Sequence, residues 1–201
     1  GADSLENAEK KPFFLYYNPT IPRSPSVNKA FFDYDVKNTP AGALAEIPDS
    51  GMLSREAIWN KVQTKEQNMG RQQAILPAVW LDEAVGALFS KLTAMNILDE
   101  TMVIFLTDHG VAAKGSLFEL GTRIAMMIRY PPLFTAGSKV NDPISNIQIY
   151  PTLLELALGT ISSGTFNFDG KSFLKLATQA GRHGTAGATA NPAAPTQFLE
   201  M

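Results

Sequence analysis

The strongest hydrophobic pattern in the chain is an unbroken run from Met102 to Thr107, which is followed at once by Asp108, His109 and Gly110. Each of its six residues is apolar, β-branched or both. The run therefore predicts a buried strand that is apolar on both faces, as strands of parallel sheets are. In open α/β sheets, ligands bind beyond the carboxyl ends of the strands. The polar residues after this run are therefore candidates for chemistry.

Further apolar runs predict two more strands and three helices. The strands are expected at Phe13–Tyr17 and Ile124–Arg129, each close to a proline. The helices are expected at Ser54–Lys65 with Ser54 as N-cap, at Met69–Met95, and through Leu158 with Pro151 near the first turn. This order predicts an α/β fold, in which a mixed sheet is flanked by helices and the long helix packs on one face.

The ends of the chain differ from its middle in composition. Residues 1–11 are polar and charged, which predicts a flexible arm or linker. Residues 179–201 are rich in Ala, Gly, Thr and Pro, which predicts a disordered tail. Residues 12–178 are expected to form the folded part. Within it, the aromatic segment at 31–34 is expected to pack against the fold, with stacking on a sugar or aryl ring as the alternative.

The composition narrows the classes of function. The chain has 201 residues, a net charge of −2 and 45% apolar residues, which is typical of a globular protein. This charge offers no electrostatic basis for binding nucleic acid or an anionic membrane, and no apolar run is long enough to span a bilayer. Cysteine is absent, which excludes disulfides, thiolate nucleophiles and cysteine metal ligands within this sequence.

Asp108 and His109 together are a candidate pair of ligands for a divalent metal. A carboxylate favours Ca²⁺ or Mg²⁺, which prefer oxygen ligands, whereas an imidazole suits a softer ion such as Mn²⁺ or Zn²⁺. The alternative is a polar turn that only ends the strand, with Gly110 at a positive φ. The sequence that follows favours the functional interpretation.

That following segment, Lys114–Arg123, reads Lys-Gly-Ser-Leu-Phe-Glu-Leu-Gly-Thr-Arg. Together with the Thr-Asp-His-Gly end of the strand, it resembles the sulfatase family of the alkaline-phosphatase-like superfamily. That family has Ser/Thr-Asp-His/Asn-Gly, a loop, and then Lys-Gly-Ser/Thr-Leu-Tyr/Phe-Glu-x-Gly-x-Arg. Leu81–Gly86 and Phe168–Leu174 also resemble segments of the family. The resemblance covers roughly Pro12 to Lys175 and implies a partial alkaline-phosphatase-like domain.

The resemblance implies roles for individual side chains. Asp108 and His109 are expected to ligate a metal, Ca²⁺ first, with Mg²⁺ or Mn²⁺ as alternatives. Lys114 is expected to contact the sulfate and the leaving group, and Arg23 stands where the family has a sulfate-contacting His. Arg23 can bind a sulfate bidentately, but it keeps its proton and cannot act as a general acid. Arg123 is expected to be structural, paired with the glutamate four positions before it or with a carbonyl.

The chain departs from the family at the nucleophile. Sulfatases build formylglycine from the Cys or Ser of a Cys/Ser-x-Pro-x-Arg motif, and this sequence contains no such motif. The family also takes two more aspartate ligands from an upstream segment. A separate departure is Gln148, which stands where the family usually has the Asp of an Asp-x-x-Pro-Thr helix start. The chain alone is therefore expected to be inactive, and an upstream segment of the same gene product is expected to supply the missing groups.

Three interpretations of the function stay open on the sequence alone. The first is a sulfuric ester hydrolase that acts on a sulfated small molecule or glycan, with this chain as the C-terminal portion of its catalytic domain. The second is a non-catalytic sulfatase-like binding module. The third is a phosphodiesterase or phosphotransferase of the same superfamily. The sequence itself gives no compartment, and the resemblance implies a secreted, lysosomal or periplasmic protein.

Overall fold

The computed structural model describes residues 11–19, 21, 26–33, 35–39, 42–46, 49–159, 167–183 and 199–200. The chain divides into two compact units, residues 1–94 and residues 95–201. Arg23, Tyr34 and residues 1–10 lie outside the described residues. What the sequence predicts for them, including a sulfate contact at Arg23, stays a prediction.

The first unit consists of helices α1 (Ser26–Asp33), α2 (Arg55–Lys65) and α3 (Met69–Ala94) and a short antiparallel ladder of β1 (Asn38–Thr39) and β2 (Gly42–Ala43). The predictions for α2 and α3 are confirmed to within one residue at each end. Ser54 caps α2 as expected, because its hydroxyl accepts the Ala57 N–H at 3.2 Å. No described helix combines the length and the apolar character that crossing a membrane requires.

The core of the first unit is a cluster of buried side chains from its three helices: Phe31, Ile58, Val62 and Leu76. Phe31 is only 2% exposed and meets Trp80 edge to face, with 5.0 Å between the ring centroids. Phe31 therefore packs as predicted and offers no face to a ligand. Within this unit α3 packs on α1 and α2, and its predicted packing on a sheet stays a prediction.

The second unit contains a three-stranded antiparallel sheet in the order β3 (Val103–Leu106), β4 (Met126–Arg129) and β5 (Leu199–Glu200). Strands β3 and β4 confirm two of the three predicted strands. The burial predicted for β3 is wrong, since its first three residues are half-buried and Leu106 is 38% exposed. The reason is that β3 pairs only with β4 among the described strands, and the parallel neighbours that its apolar faces predict are not among them.

The predicted strand at Phe13–Tyr17 does not form. Residues 11–19 have no regular structure, and the five apolar side chains are exposed, from 48% at Tyr17 to 80% at Phe14. A strand is stable only when its backbone N–H and C=O groups are paired, and no described strand lies beside this run. The apolar pattern of Phe13–Tyr17 shows only that the segment is hydrophobic. It does not show whether another strand is available to pair with it.

Helices α4 (Glu119–Thr122), α5 (Ile149–Leu158) and α6 (Leu174–His183) complete the second unit. Helix α5 confirms the helix predicted around Pro151. Helix α6 continues past residue 178, and Leu199–Glu200 pair with β4. The disorder predicted for residues 179–201 as a whole stays a prediction. Helices with a small sheet agree with a partial α/β domain.

The core of the second unit joins β4 to α6 through six buried side chains: Met126, Ile128, Phe134, Val140, Phe173 and Ala177. Thr152 ties α5 to this core. Its side chain is 1% exposed, and its hydroxyl donates to the Gln148 carbonyl at 2.7 Å and accepts the Phe173 N–H at 3.0 Å. One hydroxyl thus satisfies a buried backbone donor 21 residues away along the chain.

We expect Thr152→Val to lower the free energy of unfolding by about 1–3 kcal/mol, because valine keeps the volume but leaves the buried Phe173 N–H without an acceptor. Urea unfolding followed by circular dichroism measures the change. Thr178→Val is the matched control, since the Thr178 hydroxyl only donates to helix carbonyls. An equal loss in the two variants would contradict this role of Thr152.

The ion pair between Lys61 on α2 and Glu83 on α3 raises the pKa of Lys61, mainly through the hydrogen bond between the two side chains. Because the pKa is raised, the ion pair stabilises the folded state to its full extent at pH values below the unfolded-state pKa of lysine, about 10.4. This stabilisation is lost as the pH rises through the folded-state pKa. Because Lys61 is partly exposed, we expect the pair to contribute less than about 1 kcal/mol.

Glu83→Gln should therefore lower the pKa of Lys61 more than Asp82→Asn does, because Asp82 acts on Lys61 only through its charge. Titration of the Lys61 side-chain nitrogen by NMR measures both shifts. A shift in the Asp82→Asn variant as large as that in Glu83→Gln would contradict the hydrogen bond as the main cause.

Candidate functional site

Three of the four predicted site residues lie in the loop that connects β3 to α4. Asp108 and His109 follow β3 directly, as the sequence predicts, and Lys114 lies midway along the loop. The structure brings Asp108 and His109 together. Lys114 shares their loop, whereas Arg23 lies outside the described residues, so a convergence of all four side chains stays a prediction.

The loop is closed by close contact between its first half and α4. The Gly110 N–H donates to the Gly121 carbonyl at 3.0 Å, and the Ala112 N–H donates to the Leu120 carbonyl at 3.1 Å. A Cβ atom on Gly110 would lie 2.2 Å from the Leu120 carbonyl oxygen, and one on Gly121 would lie 2.5 Å from the Ala113 oxygen. Gly110 does not have the positive φ that the polar-turn alternative gave it. Close backbone approach is what requires glycine there.

The base of the loop is fastened to β4 by a second pair of hydrogen bonds. The Thr107 N–H donates to the Ala125 carbonyl at 3.1 Å, and the Ala125 N–H donates to the Thr107 hydroxyl at 3.2 Å. Asp108 and His109 therefore leave the sheet from a position that is fixed on both sides of the loop.

His109 is oriented by its own loop backbone. Its Nδ1 atom lies 2.7 Å from the Gly110 carbonyl oxygen. Because a carbonyl only accepts, Nδ1 carries the proton, and in the neutral ring Nε2 keeps a free lone pair. This Nε2 atom lies 3.8 Å from the Asp108 carboxylate oxygen Oδ1. The pair thus presents an imidazole lone pair and a carboxylate oxygen close together at the end of β3.

The pair fits part of a metal coordination shell. Two oxygen ligands that each lie 2.3–2.6 Å from a Ca²⁺ ion are at most about 5.2 Å apart. The 3.8 Å between Asp108 Oδ1 and His109 Nε2 is within that limit and is compatible with two ligands of one divalent ion. Calcium takes about six to eight ligands. Among the described residues, no group of three or more His, Cys, Asp or Glu side chains is placed to hold a metal. Further ligands are therefore needed for tight binding.

Lys114 lies in a tight turn on the outside of the loop. It is flanked by Ala113 with φ of 55° and Gly115 with φ of 84°, and the Ser116 N–H donates to the Ala113 carbonyl at 3.0 Å. A left-handed conformation at a residue with a side chain is uncommon, so the shape of the turn is specific. The Lys114 side chain is exposed, which leaves its ammonium group accessible to an anion.

Two other side chains of the family-like segments have structural roles. Arg123 donates to Glu119 at 2.7 Å across one turn of helix, which confirms the predicted pairing. Gln148 accepts the Ser145 N–H at 2.8 Å and donates to the Lys171 carbonyl at 3.0 Å. The Gln148 side chain thus makes one hydrogen bond as an acceptor and one as a donor. An ionised Asp has no donor group and could not make the second bond.

The sequence analysis missed a set of exposed apolar side chains on this loop and the first turn of α4. We name these residues the loop patch: Val111, Leu117, Phe118 and Leu120 are 94%, 97%, 78% and 58% exposed, respectively. They lie outside any periodic pattern, and the signal that marks them is a set of large apolar residues beside turn-forming Gly110 and Gly115. Contiguous exposed apolar patches mark interaction surfaces, so these residues are candidates for one.

Comparison with known proteins decides the family. Residues 1–160 match the sulfatase family model. The chain belongs to the sulfatase family. The family is part of the alkaline-phosphatase-like superfamily, so the resemblance read from the loop motifs is confirmed.

Individual sulfatases are similar over most of this chain but are much longer. The chain is 33% identical over 178 residues to an ulvan-active sulfatase from Formosa agariphila, which covers 86% of this chain and 30% of that protein. It is 28% identical over 169 residues to a choline-sulfatase from Rhizobium meliloti, covering 76% of this chain and 33% of the relative. An extracellular sulfatase SULF-1 homolog from Drosophila melanogaster is 25% identical over 187 residues. That match covers 86% of this chain and 16% of the relative. The chain spans at most a third of these relatives.

We expect Gly110→Ala to destabilise the second unit by about 1–3 kcal/mol, because the new methyl group overlaps the Leu120 carbonyl and forces the loop apart. Gly86→Ala is the matched control, since a Cβ there meets nothing within 4 Å and alanine favours a helix over glycine by about 0.8–1 kcal/mol. Thermal unfolding of the two variants measures the contrast. Equal melting temperatures would show that the close approach does not hold the loop.

Proposed function

We propose that this chain supplies part of the metal and sulfate site of a sulfuric ester hydrolase, as a portion of its catalytic domain. The observation that carries the proposal is the 3.8 Å separation of Asp108 Oδ1 and His109 Nε2 at the end of β3 in a sulfatase-family chain. The substrate class is a sulfated small molecule or glycan. In support, two relatives are named as a choline-sulfatase and an ulvan-active sulfatase.

Each candidate side chain has a distinct role in this proposal. Asp108 and His109 would hold one side of a divalent ion, Ca²⁺ first and Mg²⁺ or Mn²⁺ as alternatives, and that ion would supply electrostatic stabilisation of the sulfate's negative charge. Lys114 places its ammonium group against the sulfate and the bridging oxygen, where charge develops as the S–O bond breaks. Arg23 is a second sulfate contact, for which its planar guanidinium is suited.

The chain by itself lacks the groups that complete the reaction. Covalent catalysis needs an activated nucleophile, and the sequence has neither cysteine nor the Cys/Ser-x-Pro-x-Arg motif that yields formylglycine. Asp108 and His109 offer two of the ligands that the ion requires. We therefore infer that the 201 residues alone do not turn over sulfate esters, and that further sulfatase sequence of the same gene product supplies the nucleophile and the other ligands.

A non-catalytic sulfatase-like binding module is the second candidate function. The observation that favours it is the absent nucleophile motif, since a chain that works alone without a nucleophile can bind a sulfate ester but cannot cleave it. The two candidates differ in what the full product of the gene does, because only the first requires turnover.

The experiment measures hydrolysis of 4-nitrophenyl sulfate with Ca²⁺, Mg²⁺ or Mn²⁺ added. We expect the purified 201-residue chain to match its Asp108→Ala variant at background. We expect the full gene product to turn over the ester, and Lys114→Ala in it to lower kcat by about 10²–10³-fold. Lys175→Ala, which removes an exposed lysine on α6, is the matched control and should keep the activity.

Three outcomes would contradict parts of this proposal. Turnover by the isolated chain that Asp108→Ala abolishes would mean that a nucleophile lies within these residues. A full gene product that binds the sulfate ester without turnover would favour the non-catalytic module. A full product that cleaves a 4-nitrophenyl phosphate ester instead would favour a phosphodiesterase or phosphotransferase.

A further inference from the structure

The hydrogen-bonded ladder between β3 and β4 ends at Thr107 in an irregular pair. Thr107 lies opposite Ala125, one position beyond the last regular pair of the ladder, Leu106 with Met126. In an antiparallel ladder, every second pair of opposite residues exchanges two backbone hydrogen bonds, in which each N–H donates to the carbonyl of the other residue. The Thr107 N–H donates to the Ala125 carbonyl at 3.1 Å, so Thr107 and Ala125 stand where such a pair is expected.

The second bond of this pair is made by a side chain instead of the backbone. The Ala125 N–H donates to the Thr107 hydroxyl at 3.2 Å, whereas in a regular ladder it would donate to the Thr107 carbonyl. None of the residues that the structure describes donates a hydrogen bond to that carbonyl. The hydroxyl has therefore replaced the carbonyl as the acceptor, and β3 ends one residue earlier, at Leu106.

The replaced carbonyl belongs to the peptide group that joins Thr107 to Asp108. In a regular pair this carbonyl would point to β4, and the chain would continue as a strand. Because the peptide group is planar, a carbonyl that turns out of the ladder also turns the N–H of the next residue and the direction of the chain. The chain accordingly bends at Asp108 and His109, directly after the irregular pair.

The short distance between the two candidate ligands depends on this bend. Asp108 Oδ1 and His109 Nε2 lie 3.8 Å apart, although the two residues are consecutive. Consecutive side chains of a strand point to opposite faces, so a strand that continued through both residues would direct their side chains away from each other. The irregular pair at Thr107 thus allows both ligand atoms to lie on one side of the chain.

We propose that Thr107 is a positioning residue of the metal site, whose hydroxyl takes the ladder position of its own carbonyl and so ends β3 where Asp108 and His109 can converge. Thr107 acts through these two side chains. The position requires a hydroxyl, because without it the Ala125 N–H has only the carbonyl at position 107 to bind, and the ladder extends by one pair. The inference rests on the proposed function, since it gives Thr107 a role in the same site.

Two substitutions in the full gene product separate the hydroxyl from the other properties of threonine. Thr107→Val keeps the shape and removes the acceptor, and it should weaken Mn²⁺ binding by about 10–100-fold, the usual effect of removing a group that orients metal ligands. Thr107→Ser should keep the affinity of the unsubstituted protein, because serine retains the acceptor oxygen. Isothermal titration with Mn²⁺ measures both. If Thr107→Val does not fold, Thr107→Ala removes the same hydroxyl and should show the same loss.

Thr122→Val is the matched control. It removes a threonine hydroxyl from α4, where that hydroxyl donates to the Phe118 carbonyl at 3.2 Å, and it should keep the Mn²⁺ affinity.

A crystal structure of the metal-free Thr107→Val variant gives a second measurement, which needs no bound metal. We expect the Ala125 N–H to donate to the carbonyl at position 107. We also expect Asp108 Oδ1 and His109 Nε2 to lie further apart than the present 3.8 Å.

Several results would overturn the positioning role. One is an unchanged Mn²⁺ affinity in Thr107→Val, even if its melting temperature falls, since the hydroxyl would then contribute only to stability. Equal losses in Thr107→Val and Thr107→Ser would assign the effect to packing of the threonine methyl group. An unsubstituted gene product that binds no Mn²⁺ would also overturn it.

Failure of the proposed function is a separate result. A loss of Mn²⁺ affinity in Thr107→Val, in a gene product that does not hydrolyse 4-nitrophenyl sulfate, would keep the positioning role and remove the proposed function. Turnover by the unsubstituted gene product, with a Mn²⁺ affinity that Thr107→Val leaves unchanged, would keep the proposed function and remove the positioning role.

Discussion

The close backbone contact between Gly110 and the Leu120–Gly121 peptide is the constraint on which the candidate site depends. It leaves no room for a Cβ atom on either glycine, and it folds the loop back on itself directly after β3. Asp108 and His109 are held at the strand end by this closure and by the paired hydrogen bonds at Thr107. Close to it in sequence, the residues of the loop patch are exposed.

Features that depend on local sequence were predicted well. The capping Ser54, the full length of α3 and the Arg123–Glu119 pair all arise from contacts within a few positions along the chain. Features that depend on a neighbouring strand or other distant part of the chain were predicted poorly. The Phe13–Tyr17 run and β3 are both apolar enough for buried strands, yet the first forms no strand and the second is half-covered. Hydrophobicity predicts that a segment favours burial, whereas the strands and helices beside it determine whether it forms a buried strand.

In the candidate site too, local features were predicted from the sequence and features that depend on tertiary contacts were not. The motif placed Asp108 and His109 at a strand end, but the tautomer of His109 depends on its bond to the Gly110 carbonyl, which no pattern encodes. The requirement for glycine at position 110 could not be predicted either, because it depends on close approach to the Leu120 carbonyl ten residues away. From the sequence, the loop patch was recognised only as part of the family-like motif. The exposure of its side chains is known only from the structure.

The central claim is that Asp108 and His109 form one side of a divalent metal site that further sulfatase sequence completes. Anomalous scattering from Mn²⁺ in crystals of the full gene product tests it most directly. The account predicts a Mn²⁺ peak within coordination distance of both the Asp108 carboxylate and His109 Nε2, with further oxygen ligands from outside these 201 residues. A metal bound elsewhere in the protein, with both side chains uncoordinated, would contradict it.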